Sequence, residues 1–90
     1  MSVSLLTFRE QGLLVGEVLE KHLEQIGMSQ VELSRRTGIT TKHINRIIKG
    51  KSGFSADVAI KLEYATKIKA AFWLECLGQD LLKQAKELWV

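Results

Sequence analysis

Apolar residues recur along most of this chain at intervals of three and four, which is the period of helices and not of strands. Val15, Val18, Leu19, Leu23 and Ile26 form one stripe, with His22 at its edge, and Gly27 follows as a stop signal. Ser29-Gln30-Val31-Glu32 has the form of a capping box and opens a short helix ending near Thr37, with Gly38 behind it. Thr40 can cap a third helix, from about Thr41 to Lys49, whose apolar face is Ile44, Ile47 and Ile48 and whose stop is Gly50. Ser55 caps a fourth, running to about Thr66, with Val58, Ala59, Leu62 and Ala65 inward. A fifth begins near Lys69 or Ala70 and carries Phe72, Trp73, Leu74, Leu77, Leu81 and Leu82, with Gly78 as a point where it could break. The start is different. Val3, Leu5 and Thr7 alternate with Ser4 and Leu6, which fits either a short strand or a loose arm. The pattern therefore predicts an all-α fold of five helices over residues 13–90, preceded by an N-terminal arm over residues 1–12.

Composition narrows this little but excludes much. With 46% hydrophobic and 26% charged residues, the chain has the make-up of a folded globular domain, not of a disordered one. Ninety residues give one thin core. A single cysteine rules out an internal disulfide and fits a reducing, cytoplasmic setting. No apolar run reaches the ~18–20 residues of a membrane span, and Met1 to Leu6 lacks the basic region of a secretory signal.

Charge changes the picture more. Between residues 29 and 53 lie Arg35, Arg36, Lys42, Arg46, Lys49 and Lys51 against a single acid, Glu32, for a local net charge of +5. The rest of the chain carries seven basic and nine acidic residues, a net of −2. A basic middle in a slightly acidic chain points to a polyanion-binding face.

That basic stretch coincides with two short helices joined by a glycine-bearing turn, the layout of a helix-turn-helix. Leu33 can enter the core, Ser34 is small enough to be crossed closely, Gly38 permits the turn, Ile39 buries within it, and Ile44 and Ile47 anchor the second helix. This leaves Thr41, Lys42, His43, Asn45 and Arg46 facing outward, where such a motif meets base edges in the major groove. Arginine and lysine suit guanine, and asparagine suits adenine. Ser29 and Gln30 at the amide end of the first motif helix, with Thr40, Lys49 and Lys51, suit phosphates. His43 fits either a DNA contact or a plain exposed polar position.

The segment from Ser29 to Thr40 resembles the helix-turn-helix of phage-repressor-like (XRE/Cro-type) DNA-binding proteins, and so implies a lambda-repressor-like domain. The flanks resemble the HigA/VapI antitoxin family. Val15-Gly16-Glu17-Val18-Leu19 is similar to its first-helix start, Asn45 to Lys51 and Ser55 to Leu62 to its middle, and Ala71-Phe72-Trp73-Leu74 to its Phe-Trp-Leu signature. The likeness spans about residues 13–82. It departs at Val15, where a proline is usual, at Glu75-Cys76-Leu77, where Asn-Leu-Gln is usual, and at Asp80, which replaces a tyrosine. The resemblance implies a homodimeric antitoxin that represses its own operon and neutralises an mRNA-cleaving ribonuclease toxin. The first-helix signature is also similar to that of regulators associated with a metallopeptidase domain, and no such domain lies in these residues.

Other chemistry finds no pattern here. His22 and His43 stand 21 positions apart and Cys76 is alone, with no metal-binding, phosphate-loop or nucleophile motif, so no catalysis, metal or cofactor is expected. His22 reads as a packed or hydrogen-bonded histidine, and Cys76 as a small buried hydrophobe. The stripe Phe72, Trp73, Leu74, Leu77 and Leu81, continued by Leu88, Trp89 and Val90, is large for so small a core. The surplus predicts a dimer contact through the last helix, at Phe72, Trp73, Leu77 and Leu81. A dimer would set two recognition helices about 34 Å apart on a palindromic double-stranded DNA operator. The competing expectation is a module whose main role is to grip a protein, or a phage-type repressor without a toxin.

Overall fold

The computed structural model describes residues 14–89, and the expected N-terminal arm lies outside that range. The described residues form five helices and no strand, an all-α domain. They are α1 (Val15–Ile26), α2 (Gln30–Thr37), α3 (Thr41–Ile48), α4 (Ala56–Thr66) and α5 (Ala70–Leu88). Helix α3 crosses α1 on one side and α2 on the other, α2 also packs on α4, and α5 lies along α4 and over α1.

The periodicity that marks these helices is the one that builds the core. Trp73, Leu19, Leu33, Ile44, Ile47, Leu62 and Val18 are essentially sealed from solvent, and Ile39 is buried within the turn. Cys76 is buried as a small hydrophobe. His22 is buried too, with Nε2 3.4 Å from the Thr66 carbonyl and its ring edge-on to Trp73 at 6.4 Å. That contact ties the C-terminal half of α1 to the corner between α4 and α5.

Helix ends follow local chemistry. Ser29, Thr40 and Ser55 each accept an amide from the third residue on (Glu32, His43 and Val58), as N-cap hydroxyls do. The Ser29 box closes from one side only, because the Glu32 carboxylate turns instead to Arg35 and Arg36. Helix α3 ends at Ile48, one residue before the expected Lys49. Helix α5 runs unbroken through Gly78, which faces solvent and meets no neighbour that would force a break.

The start of α1 is held differently. Leu14 has no capping hydroxyl, so the Glu17 carboxylate accepts the Leu14 N–H at 3.1 Å. Asp80 on α5 accepts the Val15 N–H at 2.8 Å, across 65 residues of sequence. Burial pushes the Asp80 carboxyl above its ordinary 3.8; the Val15 hydrogen bond and nearby Lys83 pull it down, and Glu17 pushes it up. Because the folded-state value is the higher one, the folded protein holds this proton longer than the unfolded chain does. Stability from this group is fully present below 3.8 and is lost as pH rises through the raised folded value. Asp80→Asn keeps an acceptor and removes the charge. It is expected to be at least as stable as the parent at neutral pH, with the difference shrinking toward pH 3, as read by urea unfolding across that range.

Candidate nucleic-acid interface

Helices α2 and α3 and the turn between them form a helix-turn-helix whose geometry rests on three residues. Gly38 adopts the left-handed backbone, φ 78°, that a side chain would resist. Thr37 ends α2 by donating its hydroxyl to the Leu33 carbonyl at 2.7 Å and accepting the Ile39 N–H at 3.1 Å. Ile39 then plugs into the core. The same device recurs at the end of α4, where the Thr66 hydroxyl donates to the Leu62 carbonyl and accepts the Ile68 N–H.

Helix α3 is anchored by Ile44, Ile47 and Ile48, all buried, so its opposite face must point outward. Thr41, Lys42 and Arg46 are exposed there, and Asn45 is half-buried beside them. His43 is half-buried and turned away, its Nε2 3.5 Å from the Ser52 hydroxyl in the loop after α3. Of the five residues expected at base edges, the structure brings together Thr41, Lys42, Asn45 and Arg46 and sets His43 against its own loop. Ser29, Thr40, Lys49 and Lys51 are exposed around this face, and Gln30 is half-buried.

The electrostatics divide the basic stretch in two. Arg35 and Arg36 share the Glu32 carboxylate, so part of the local charge is already compensated on α2. Lys42, Arg46, Lys49 and Lys51 make no salt bridge with another described residue. The uncompensated charge is thus concentrated on α3 and the loop behind it.

The helix-turn-helix family model HTH_3 matches residues 19–73, more than half of the chain. The chain belongs to the XRE-type helix-turn-helix family. That family is one of DNA-binding regulatory domains, generally non-enzymatic, and in this member α2 and α3 are the two helices of the motif. A search of curated proteins gave no match. No described helix is long and apolar enough to cross a membrane.

The expected dimer contact needs one correction. Trp73 is 0% exposed: with Cys76 it lies on the face of α5 that packs into the domain, so it is a core residue and not a surface one. Phe72 packs edge-on against Trp73 at 5.5 Å and is half-buried, as is Leu77. Leu81 is 57% exposed, and beyond it Leu82, Leu88 and Trp89 are exposed as well. The apolar surplus of this helix therefore lies further toward its C-terminus than the stripe suggested.

Sequence reasoning missed three positions that hold the helices around this motif together: Thr37, Gly16 and Asp80. Thr37 had a readable signal, a hydroxyl residue directly before a helix-ending glycine. Gly16 and Asp80 act through contacts distant in sequence, which no local pattern announces.

Proposed function

We propose that this chain is a homodimeric repressor acting on a palindromic operator upstream of its own gene, and that it is the antitoxin of a type II, HigBA-like pair, neutralising an mRNA-cleaving ribonuclease. The observation that carries the DNA-binding part is the outward cationic face of α3, free of salt bridges to other described residues and seated on three buried isoleucines. In this reading Lys42, Asn45 and Arg46, with Thr41, meet base edges, and His43 contributes at most through its loop contact. Ser29, Gln30, Thr40, Lys49 and Lys51 hold the flanking phosphates. Two copies pair through the exposed turns of α5 around Leu81, with Phe72 and Leu77 at the margin. The antitoxin part is supported by the resemblance at Val15 to Leu19 and at Phe72-Trp73-Leu74.

The test is a mobility-shift titration against the DNA upstream of its own gene, with and without the product of the neighbouring gene. A salt-sensitive shift, altered by a neighbouring ribonuclease that binds the protein, supports the whole reading. A shift with no such partner leaves a repressor without a toxin. Absence of any preference for that DNA over a random duplex would falsify the operator assignment.

A further inference from the structure

We infer that Asp80 is a positioning residue for the DNA-binding face: by holding the first amide of α1, it seats α1 against the C-terminal end of the recognition helix. The inference rests on the DNA-binding reading above and adds a residue outside the helix-turn-helix to it. Three observations connect the two sites. The Asp80 carboxylate accepts the Val15 N–H at 2.8 Å, so α5 grips the first turn of α1. The next residue, Gly16, lies directly on the end of α3, where a Cβ would come within 2.2 Å of the Ile47 carbonyl oxygen and 2.6 Å of that of Ile48. Between them is a cavity of about 160 Å³, bordered by Val15, Gly16, Ile47, Lys51, Asp80 and Gln84 among others.

The cavity gives the bond its importance. Where side chains fill a junction, packing alone fixes the spacing of its elements. Here the Gly16 backbone fixes how closely α1 approaches α3, but α5 and the loop after α3 meet the start of α1 across a pocket, where the directed bond from Val15 to Asp80 helps to set the spacing.

The test compares the parent with Asp80→Ala, Asp80→Asn and Val15→Pro, using Ser55→Ala as a control that weakens the distant cap of α4. Proline is well tolerated at the first position of a helix, so Val15→Pro removes the donor while preserving the fold. Two readouts are taken: affinity for a duplex selected by the parent protein from a randomised pool, and hydrogen exchange at the Lys49, Gly50 and Lys51 amides, which close the end of α3 on Asn45, Ile47 and Arg46. Asp80→Ala and Val15→Pro are each expected to weaken DNA binding about tenfold and to speed exchange at those amides. Asp80→Asn restores both, the double variant is no worse than the weaker single, and Ser55→Ala changes neither. The inference is overturned if Asp80→Ala and Ser55→Ala give the same affinity and the same exchange at Lys49 to Lys51. If the parent selects no duplex, the DNA-binding reading fails, and the exchange data alone decide whether Asp80 positions α3.

Discussion

Gly16→Ala is expected to destabilise the domain by about 2–3 kcal/mol, although helix propensity alone predicts a gain of ~1 kcal/mol from the same change. Gly16 sits in the first turn of α1, where alanine is the better helix former. It is also buried, and the space a methyl group would need is occupied by backbone: the Ile47 oxygen at 2.2 Å, the Ile48 oxygen at 2.6 Å and the Ile48 carbonyl carbon at 2.9 Å. Carbonyl groups at a helix end cannot rotate out of the way as a flexible side chain can. Either α1 or α3 must move by about 1 Å, and a well-packed junction resists that. Gly16→Val is expected to be worse still, removing most of the stability of a domain this small. Urea unfolding followed by far-ultraviolet circular dichroism measures both. An alanine variant as stable as the parent would mean that the two helices do not touch there. DNA binding should fall with stability, and further to the extent that α3 is the element displaced.

Four of the five helices were legible in the sequence because each has a three- and four-residue apolar stripe and an identifiable N-cap or stop, as at Ser29, Thr40, Ser55, Gly27 and Gly50; α5, with neither, was legible from its stripe alone. The outward face of α3 was legible for the same reason. Once Ile44, Ile47 and Ile48 are assigned inward, helical geometry leaves Lys42 and Arg46 no other direction. What stayed hidden depends on which element packs on which. The stripe on α5 contains Trp73 and Leu81 alike, and its spacing does not say that the first is fully enclosed while the second lies beyond the edge of the core. Gly16 looked like part of a signature, but its reason is the carbonyl end of α3, some 30 residues away. Glu32 fitted a capping box by position, yet two arginines on its own helix, at three and four residues, compete for the carboxylate.

The second large effect concerns recognition. Lys42→Ala combined with Arg46→Ala is expected to cost about 2–5 kcal/mol of operator affinity, from ~1–3 kcal/mol for each base-reading side chain removed. The residues are four apart on the exposed face of α3, so both side chains project from the same side of the helix. Their sum need not be fully additive, since neighbours on one face share hydration and orientation. The informative quantity is the ratio of specific to non-specific affinity. On the proposed contacts, removing Lys42 and Arg46 should collapse that ratio, whereas Lys49→Ala, at a position suited to phosphate, should weaken all duplexes together and leave it intact. Salt dependence separates the two further: each phosphate-neutralising cation removed lowers the slope of log affinity against log salt by roughly 0.9. Competition titrations at two salt concentrations, with operator and random duplexes side by side, read all of these. Should the double variant keep its preference for the operator, the bases are read by other side chains, and Thr41 and Asn45 become the ones to test. Neither replacement touches the core, because both side chains are exposed and α3 is held from below by its isoleucines. A loss of discrimination in a variant with unchanged unfolding would therefore belong to the interface and not to the fold.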